Sequence, residues 1–174
     1  MCTKNQWQNY IQAKNEVYLN IMRQNYEKNL ISEANWVIRS HYGSGEEIGL
    51  KVKPGDICFI DFGQSYLNEM GYQHFGLILA VYHKKALVIP MTSNEITYAK
   101  AYDAKDNPNG KKNLMRIGKI HKLVKPSVLF LNDFRFINTA RVIDITTSIS
   151  IRSALFKSIK ERIQEILTTP NIEE

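Results

Sequence analysis

The residues best suited to chemistry in this chain are His74 and the Thr92-Ser93 pair, and all three fall at strand edges of one stretch, Pro54 to Asn94. A histidine gives or takes a proton near neutral pH, and a hydroxyl can donate to an anionic oxygen. Arg135, in the turn Asn132-Asp133-Phe134-Arg135, could supply a permanent positive charge or could equally pair with Asp133. Such groups suit general acid–base chemistry beside a developing negative charge: one group takes or gives a proton while donors hold the anionic oxygen. The plain readings stand beside these: a histidine at an apolar strand is often structural, and a Thr-Ser pair often only marks a strand exit.

Other residues suit substrate contact. Asn68 and Glu69 sit in the loop between the first two strand-like runs, with Gln73 next to His74. Lys111 and Lys112 open a basic series continued by Arg116, Lys119, His121, Lys122 and Lys125. These side chains could follow a phosphodiester backbone, and they equally suit a solvated strand edge guarded against aggregation. His83, Lys84 and Lys85 form a turn expected at the end of the strand remote from His74, and His121 reads as a surface residue. Cys2 and Cys58 supply no metal-ligand spacing and no disulfide framework, so no metal or cofactor is expected and Cys58 is assigned to the core.

Three apolar runs must position the candidate groups: Ile57 to Phe62, Phe75 to Tyr82 and Ala86 to Met91. Further strands are expected over Leu114 to Ile120, Val128 to Leu131 and Arg141 to Ile145, with a hairpin tip at Asp106-Asn107-Pro108-Asn109-Gly110. A helix closes the pattern, with Ile151, Leu155, Ile159, Ile163 and Ile166 on one face and Ser148 or Ser150 as its cap. Before the strands, Trp7, Tyr10, Ile11, Val17, Tyr18, Ile21 and Met22 recur at helical spacing, and a second helix runs through Leu30, Ala34, Val37 and Ile38. Burial of Trp7, Tyr10, Val17, Tyr18 and Ile21 is expected, against the sheet or against another chain. The division is a helical extension over 1–47 and a β-domain with its terminal helix over 48–170.

At 174 residues, with 44% hydrophobic content, the chain fits one globular unit. Its formal charge of +6 is compatible with a polyanionic partner. The opening MCTKNQWQNYIQAKNE lacks the apolar core of a signal peptide, and no run approaches the roughly 18 apolar residues of a membrane span. A cytoplasmic protein without membrane contact is expected.

Two ordered blocks carry a family resemblance. Gly55-Asp56 before Ile57-Cys58-Phe59-Ile60-Asp61-Phe62, the loop Asn68-Glu69-Met70-Gly71, Gly76-Leu77-Ile78-Leu79 and Pro90-Met91-Thr92-Ser93 form the first; Ser127 to Ile137 forms the second. Together they resemble the MazF/PemK (Kid) toxin endoribonucleases over about residues 51 to 167, and the related ToxN toxins, inhibited by a small RNA, carry a similar Thr-Ser pair. The resemblance implies an α+β, mainly β fold: a small SH3-like curved antiparallel β-barrel with a C-terminal helix, to which the helical N-terminal extension is an addition. It implies a toxin that cleaves single-stranded RNA or mRNA, a protein or RNA antitoxin, and a homodimer. His74 stands where the family usually has a catalytic Arg, so it either keeps a role with different proton chemistry or marks a lost activity. A non-catalytic SH3-like binding module and a gyrase-directed toxin of the same architecture are the alternatives.

Overall fold

The computed structural model describes residues 3–20 and 25–169. Two helices, α1 (Lys4–Asn20) and α2 (Tyr26–Arg39), precede β1 (Asp56–Asp61), β2 (Gln73–Tyr82) and β3 (Lys85–Thr92). A short α3 (Glu95–Lys100) leads into β4 (Ala101–Tyr102), β5 (Lys111–Gly118), β6 (Ser127–Phe130), β7 (Arg135–Asn138) and β8 (Val142–Ser148), and α4 (Ala154–Thr168) follows. The three leading apolar runs and the later strands lie where their hydrophobic pattern places them, whereas α3, β4 and β7 carry too little apolar periodicity to be read from sequence.

The strands form one eight-stranded sheet in the order β4-β5-β6-β3-β2-β1-β8, with β7 paired to β3. The expected barrel is open among the described residues, because β4 and β8 end the sheet unpaired to each other. It is also not antiparallel throughout, since β4 runs parallel to β5. The Asp106–Gly110 turn therefore links parallel strands and is not a hairpin tip. Asn107 makes this connection compact by donating through Nδ2 to the carbonyls of Ala99 at 3.1 Å and Ala101 at 3.0 Å.

Alternating side chains give the sheet two apolar faces. Ile57, Leu77, Ile89, Met91 and Leu129 pack under Phe156, Ile159 and Ile163 of α4, while Cys58, Ile60, Phe62, Ile78, Val88 and Val142 fill the other face. α4 is capped by Ser153, whose Oγ accepts from Phe156 N at 3.1 Å, and not by Ser148 or Ser150. Gly55 is required where β1 begins. Its φ of +92° is left-handed, and a Cβ there would lie 2.2 Å from the Ile149 carbonyl oxygen.

The two leading helices dock differently from expectation. Tyr18 is buried, but Trp7 is 58% exposed and Tyr10 and Val17 are exposed too; Ile21 and Met22 lie outside the described residues. α2 likewise turns its apolar stripe away: Asn29 and Ser32 are buried while Leu30, Trp36, Val37 and Ile38 are exposed. Periodicity identifies such a helix but does not say which stripe meets the protein.

The docking centre is Asp61, 4% exposed at the end of β1. Its carboxylate accepts from Ser32 Oγ at 2.8 Å, Asn35 Nδ2 at 2.7 Å, Gln73 Nε2 at 3.0 Å and Gly63 N at 2.9 Å. Burial alone raises a carboxyl's pKa, but these hydrogen bonds outweigh it and hold Asp61 below the usual carboxylate range. Removing the carboxylate orphans several buried donors, so Asp61→Ala is expected to lose about 2–4 kcal/mol in urea unfolding. Because the folded state favours the ionised form, this stabilisation is complete above the unfolded value of about 3.9 and disappears as pH falls through the lower folded value. The advantage of wild type over Asp61→Asn should be constant near neutrality and shrink below about pH 4; equal stability at neutral pH contradicts the assignment.

Candidate active site

β2 and β3 bring the first two candidates together by register. Phe75 pairs with Met91 and Gly76 with Pro90, so the next residues toward that end of the two strands are His74 and Thr92, which alternation sets on one face. Opposed residues of an antiparallel pair have Cβ atoms about 4.5–5.5 Å apart. The row extends across the sheet, because His74 also pairs with Ile60, Thr92 with Val128 and Val128 with Arg116.

His74 is half-buried, and no hydrogen bond holds its imidazole among the described residues. Burial first, and the Lys28 charge second, push its pKa below the ordinary value and favour the neutral ring at neutral pH. Thr92 Oγ1 accepts from Asn94 N at 3.2 Å, which engages a lone pair and leaves the hydroxyl proton able to point outward. Ser93 is exposed beside it, and Asn94 caps α3 by accepting from Thr97 N at 3.0 Å.

Arg135 lies on the same face, opposite Val88, but its guanidinium is occupied. It pairs with Asp133, donates to the Met70 carbonyl at 3.1 Å and lies over the Phe62 ring at 5.7 Å. Asp133 in turn accepts from Met70 N at 2.5 Å. Phe62 fits against β2 only because Gly76 carries no side chain; a Cβ there would meet Phe62 at 3.2 Å and Val88 at 2.6 Å. The Arg135–Asp133 pair thus secures the end of the 63–72 loop beside the His74 row. Asn68 and Glu69 are exposed at the tip of that loop, where Glu69 accepts from Tyr66 N at 3.3 Å.

Three expected substrate contacts are placed apart from this row. Gln73 alternates to the opposite face of β2 and spends its amide on Asp61 and on the Lys28 carbonyl, the latter at 3.4 Å. Lys111 and Lys112 are exposed at the start of β5. Lys112 lies four positions before Arg116, or about 13 Å along the strand. Sequence reasoning passed over Lys28, whose contact with Gln73 spans 45 residues and leaves no local signal. Arg116 is in the row, but the carbonyls of Tyr98 and Ala99 hold it at 2.8 and 3.0 Å.

Cys58 is a buried free thiol, pushed up to about 12 by burial and then by the charges of Asp56 and Asp144, so it is no nucleophile. Among the described residues no three His, Cys, Asp or Glu side chains gather as a metal site. A cleft of about 860 Å³ between α1, α2 and the end of β1 is lined by Tyr10, Trp36, Arg39 and Asp61, and none of His74, Thr92 or Arg135 reaches it. No described helix is long and apolar enough to cross a membrane.

No protein-family model and no curated protein matches the chain. Solved structures do. MazF from Deinococcus radiodurans superposes with a TM-score of 0.50 at 12% identity, covering 69% of this chain and 99% of that one. A mycobacterial endoribonuclease in complex with its cognate antitoxin gives 0.47 at 10% identity, with 70% and 99% covered. The Mycobacterium tuberculosis toxin MazF-mt6 gives 0.43 at 13% identity, with 67% and 99% covered. The Deinococcus likeness is nearly complete over that protein's length: the chain has a MazF-like fold.

Proposed function

We propose that this protein is the toxin of a toxin–antitoxin pair and that it cleaves single-stranded RNA in the cytoplasm through attack of a ribose 2′-hydroxyl on its own phosphate. What supports the reading most is the register that brings His74 and Thr92 to one face of a MazF-like sheet, one step past the Phe75–Met91 pair. Neutral His74 takes the 2′-hydroxyl proton as the 2′-oxygen bonds to phosphorus. Thr92 donates a hydroxyl hydrogen bond to a non-bridging oxygen as charge collects there, with Ser93 a second hydroxyl at the rim. The P–O5′ bond breaks and the imidazolium returns a proton to the leaving oxygen. The products are a 2′,3′-cyclic phosphate and a 5′-hydroxyl.

The remaining candidates act around this step. Arg135 holds the loop, Asn68 and Glu69 meet the substrate from its tip, and Lys111 and Lys112 follow backbone phosphates farther along. An antitoxin, protein or RNA, and a second copy in a homodimer are the partners in this reading. One observation favours a rival, an SH3-like nucleic-acid-binding module without catalysis: the Arg135 charge is already neutralised by Asp133.

Single-turnover cleavage of a labelled RNA separates the two. His74→Ala should lower the rate by about 10²–10⁴, the usual worth of general acid–base catalysis, and Thr92→Ala by about 10²–10³, with melting temperatures unchanged. The wild-type rate should climb with pH through a value below the ordinary histidine figure of about 6.5 and be flat at neutrality. A rate indifferent to both substitutions leaves the binding module in front. Replacing Lys111 and Lys112 together by Gln should instead weaken RNA binding and lower its log–log salt slope by about 0.7 per lost contact; an unchanged slope removes these lysines from the RNA path.

A further inference from the structure

The outward side of α2 has an order of its own. Ala34 lies at its middle, with Leu30 and Ile31 four and three residues before it and Val37 and Ile38 three and four residues after it. Residues three and four apart share one face of a helix, so these five form a stripe that is symmetric about Ala34 in both position and apolar character. All five are exposed, Val37 by 64% and Ile38 by 61%. No charged residue interrupts the stripe. Seven residues from its centre it ends on Glu27 at one end and on His41, just past the helix, at the other, both of them exposed.

The chain's own packing cannot cover this stripe. Asn29, Ser32, Asn35 and Arg39, on the other side of α2, tie the helix to the Tyr18 hydroxyl, the Asp61 carboxylate and the Val142 carbonyl, so it cannot roll. A solvated helix face carries polar and charged residues. A continuous apolar one marks a surface that meets a partner.

The symmetry says which partner. A two-fold axis through Ala34, perpendicular to α2, lays a second α2 antiparallel on the first, and a two-fold interface needs a patch complementary to itself. Leu30 then meets Ile38 of the second copy and Ile31 meets Val37 of the second copy, each contact occurring twice. Glu27 comes opposite His41 of the second copy, a carboxylate beside an imidazole, and the acidic first turn of each helix lies by the C-terminal end of the other, where the helix dipoles attract. Ala34 sits at the crossing, and its small side chain lets the helices approach to the ordinary axial spacing of about 8–10 Å.

We propose that the outward stripe of α2 is a self-association surface, on which two copies of this chain pair as antiparallel helices centred on Ala34. The pairing belongs to the helical extension and does not rest on the ribonuclease reading of the sheet; it gives a place to the second copy which that reading includes. A helix of about 21 Å covers less than the roughly 800 Å² per partner of a standard interface, so the association is reversible and depends on concentration.

The test is sedimentation of the full-length protein over a micromolar concentration series, joined to cysteine cross-linking. The wild type should double in mass as concentration rises, while Ala34→Arg, which sets two like charges at the axis, should keep the lower mass with its melting temperature unchanged. Leu167→Lys, at an exposed apolar residue of α4, should behave as wild type. In a Cys2→Ser background, where the remaining Cys58 is buried, Ala34→Cys should form a disulfide-linked dimer under mild oxidation. Leu30→Cys and Ile38→Cys should each fail to cross-link alone, because like positions lie about 12 Å apart along the pair, and should cross-link when mixed. A wild type that stays monomeric at all concentrations overturns the proposal, whether the stripe is then bare or covered by a different protein. So does an association that Ala34→Arg leaves unchanged, or cross-linking of Leu30→Cys with itself but not with Ile38→Cys, the mark of a parallel pair. Should Ala34→Arg fail to fold, the cross-linking pattern decides alone.

Discussion

One buried carboxylate joins the parts of this protein. Asp61 collects donors from α2, from the first residue of β2 and from the loop that follows β1, and it does so with little exposure to water. No cation neutralises it by direct pairing among the described residues. The ionised form is held by hydrogen bonds alone, each strengthened by the charge it meets and by the low local dielectric. Losing any one segment would leave a charge or a donor buried without a partner, so the segments are positioned together.

Polar docking explains the inverted α2. A helix held by an apolar stripe can slide by a turn at modest cost, because burial is not directional. Asn29, Ser32, Asn35 and Arg39 do not allow that, since each meets particular atoms: Arg39 Nη1, for example, reaches the Val142 carbonyl at 2.6 Å. The helix is thereby set in register with the strands, and its first turn reaches the His74 end of the sheet. The consequence is an outward apolar side, with Trp36 63% exposed.

The sheet was legible because its strands are apolar runs between turn signals, and the β2–β3 hairpin set the His74–Thr92 register through Pro90, Met91 and their partners. Gly55 was legible as punctuation, although the close approach of Ile149 that requires it was not. What stayed hidden depended on distant contacts. The same helical periodicity in α2 fits apolar-in and apolar-out docking, and only Asp61, 29 residues from Ser32, decides between them. Gln73 next to His74 looked like a substrate contact, but alternation along the strand turns it to the other face. Arg135 had two readings in the sequence, and Asp133 takes the guanidinium. The parallel pairing of β4 with β5 could not be read from Asp106–Gly110, whose turn residues serve either direction.

The proposal that matters most is chemical, that the face shared by His74 and Thr92 cuts RNA by internal attack of the 2′-hydroxyl. The most direct test is end-group analysis of end-labelled RNA incubated with the purified protein in EDTA. Discrete fragments ending in 2′,3′-cyclic phosphate, matched by 5′-hydroxyl ends and absent with His74→Ala, are the result the account predicts. Intact RNA, or fragments ending in 3′-hydroxyl groups, would contradict it.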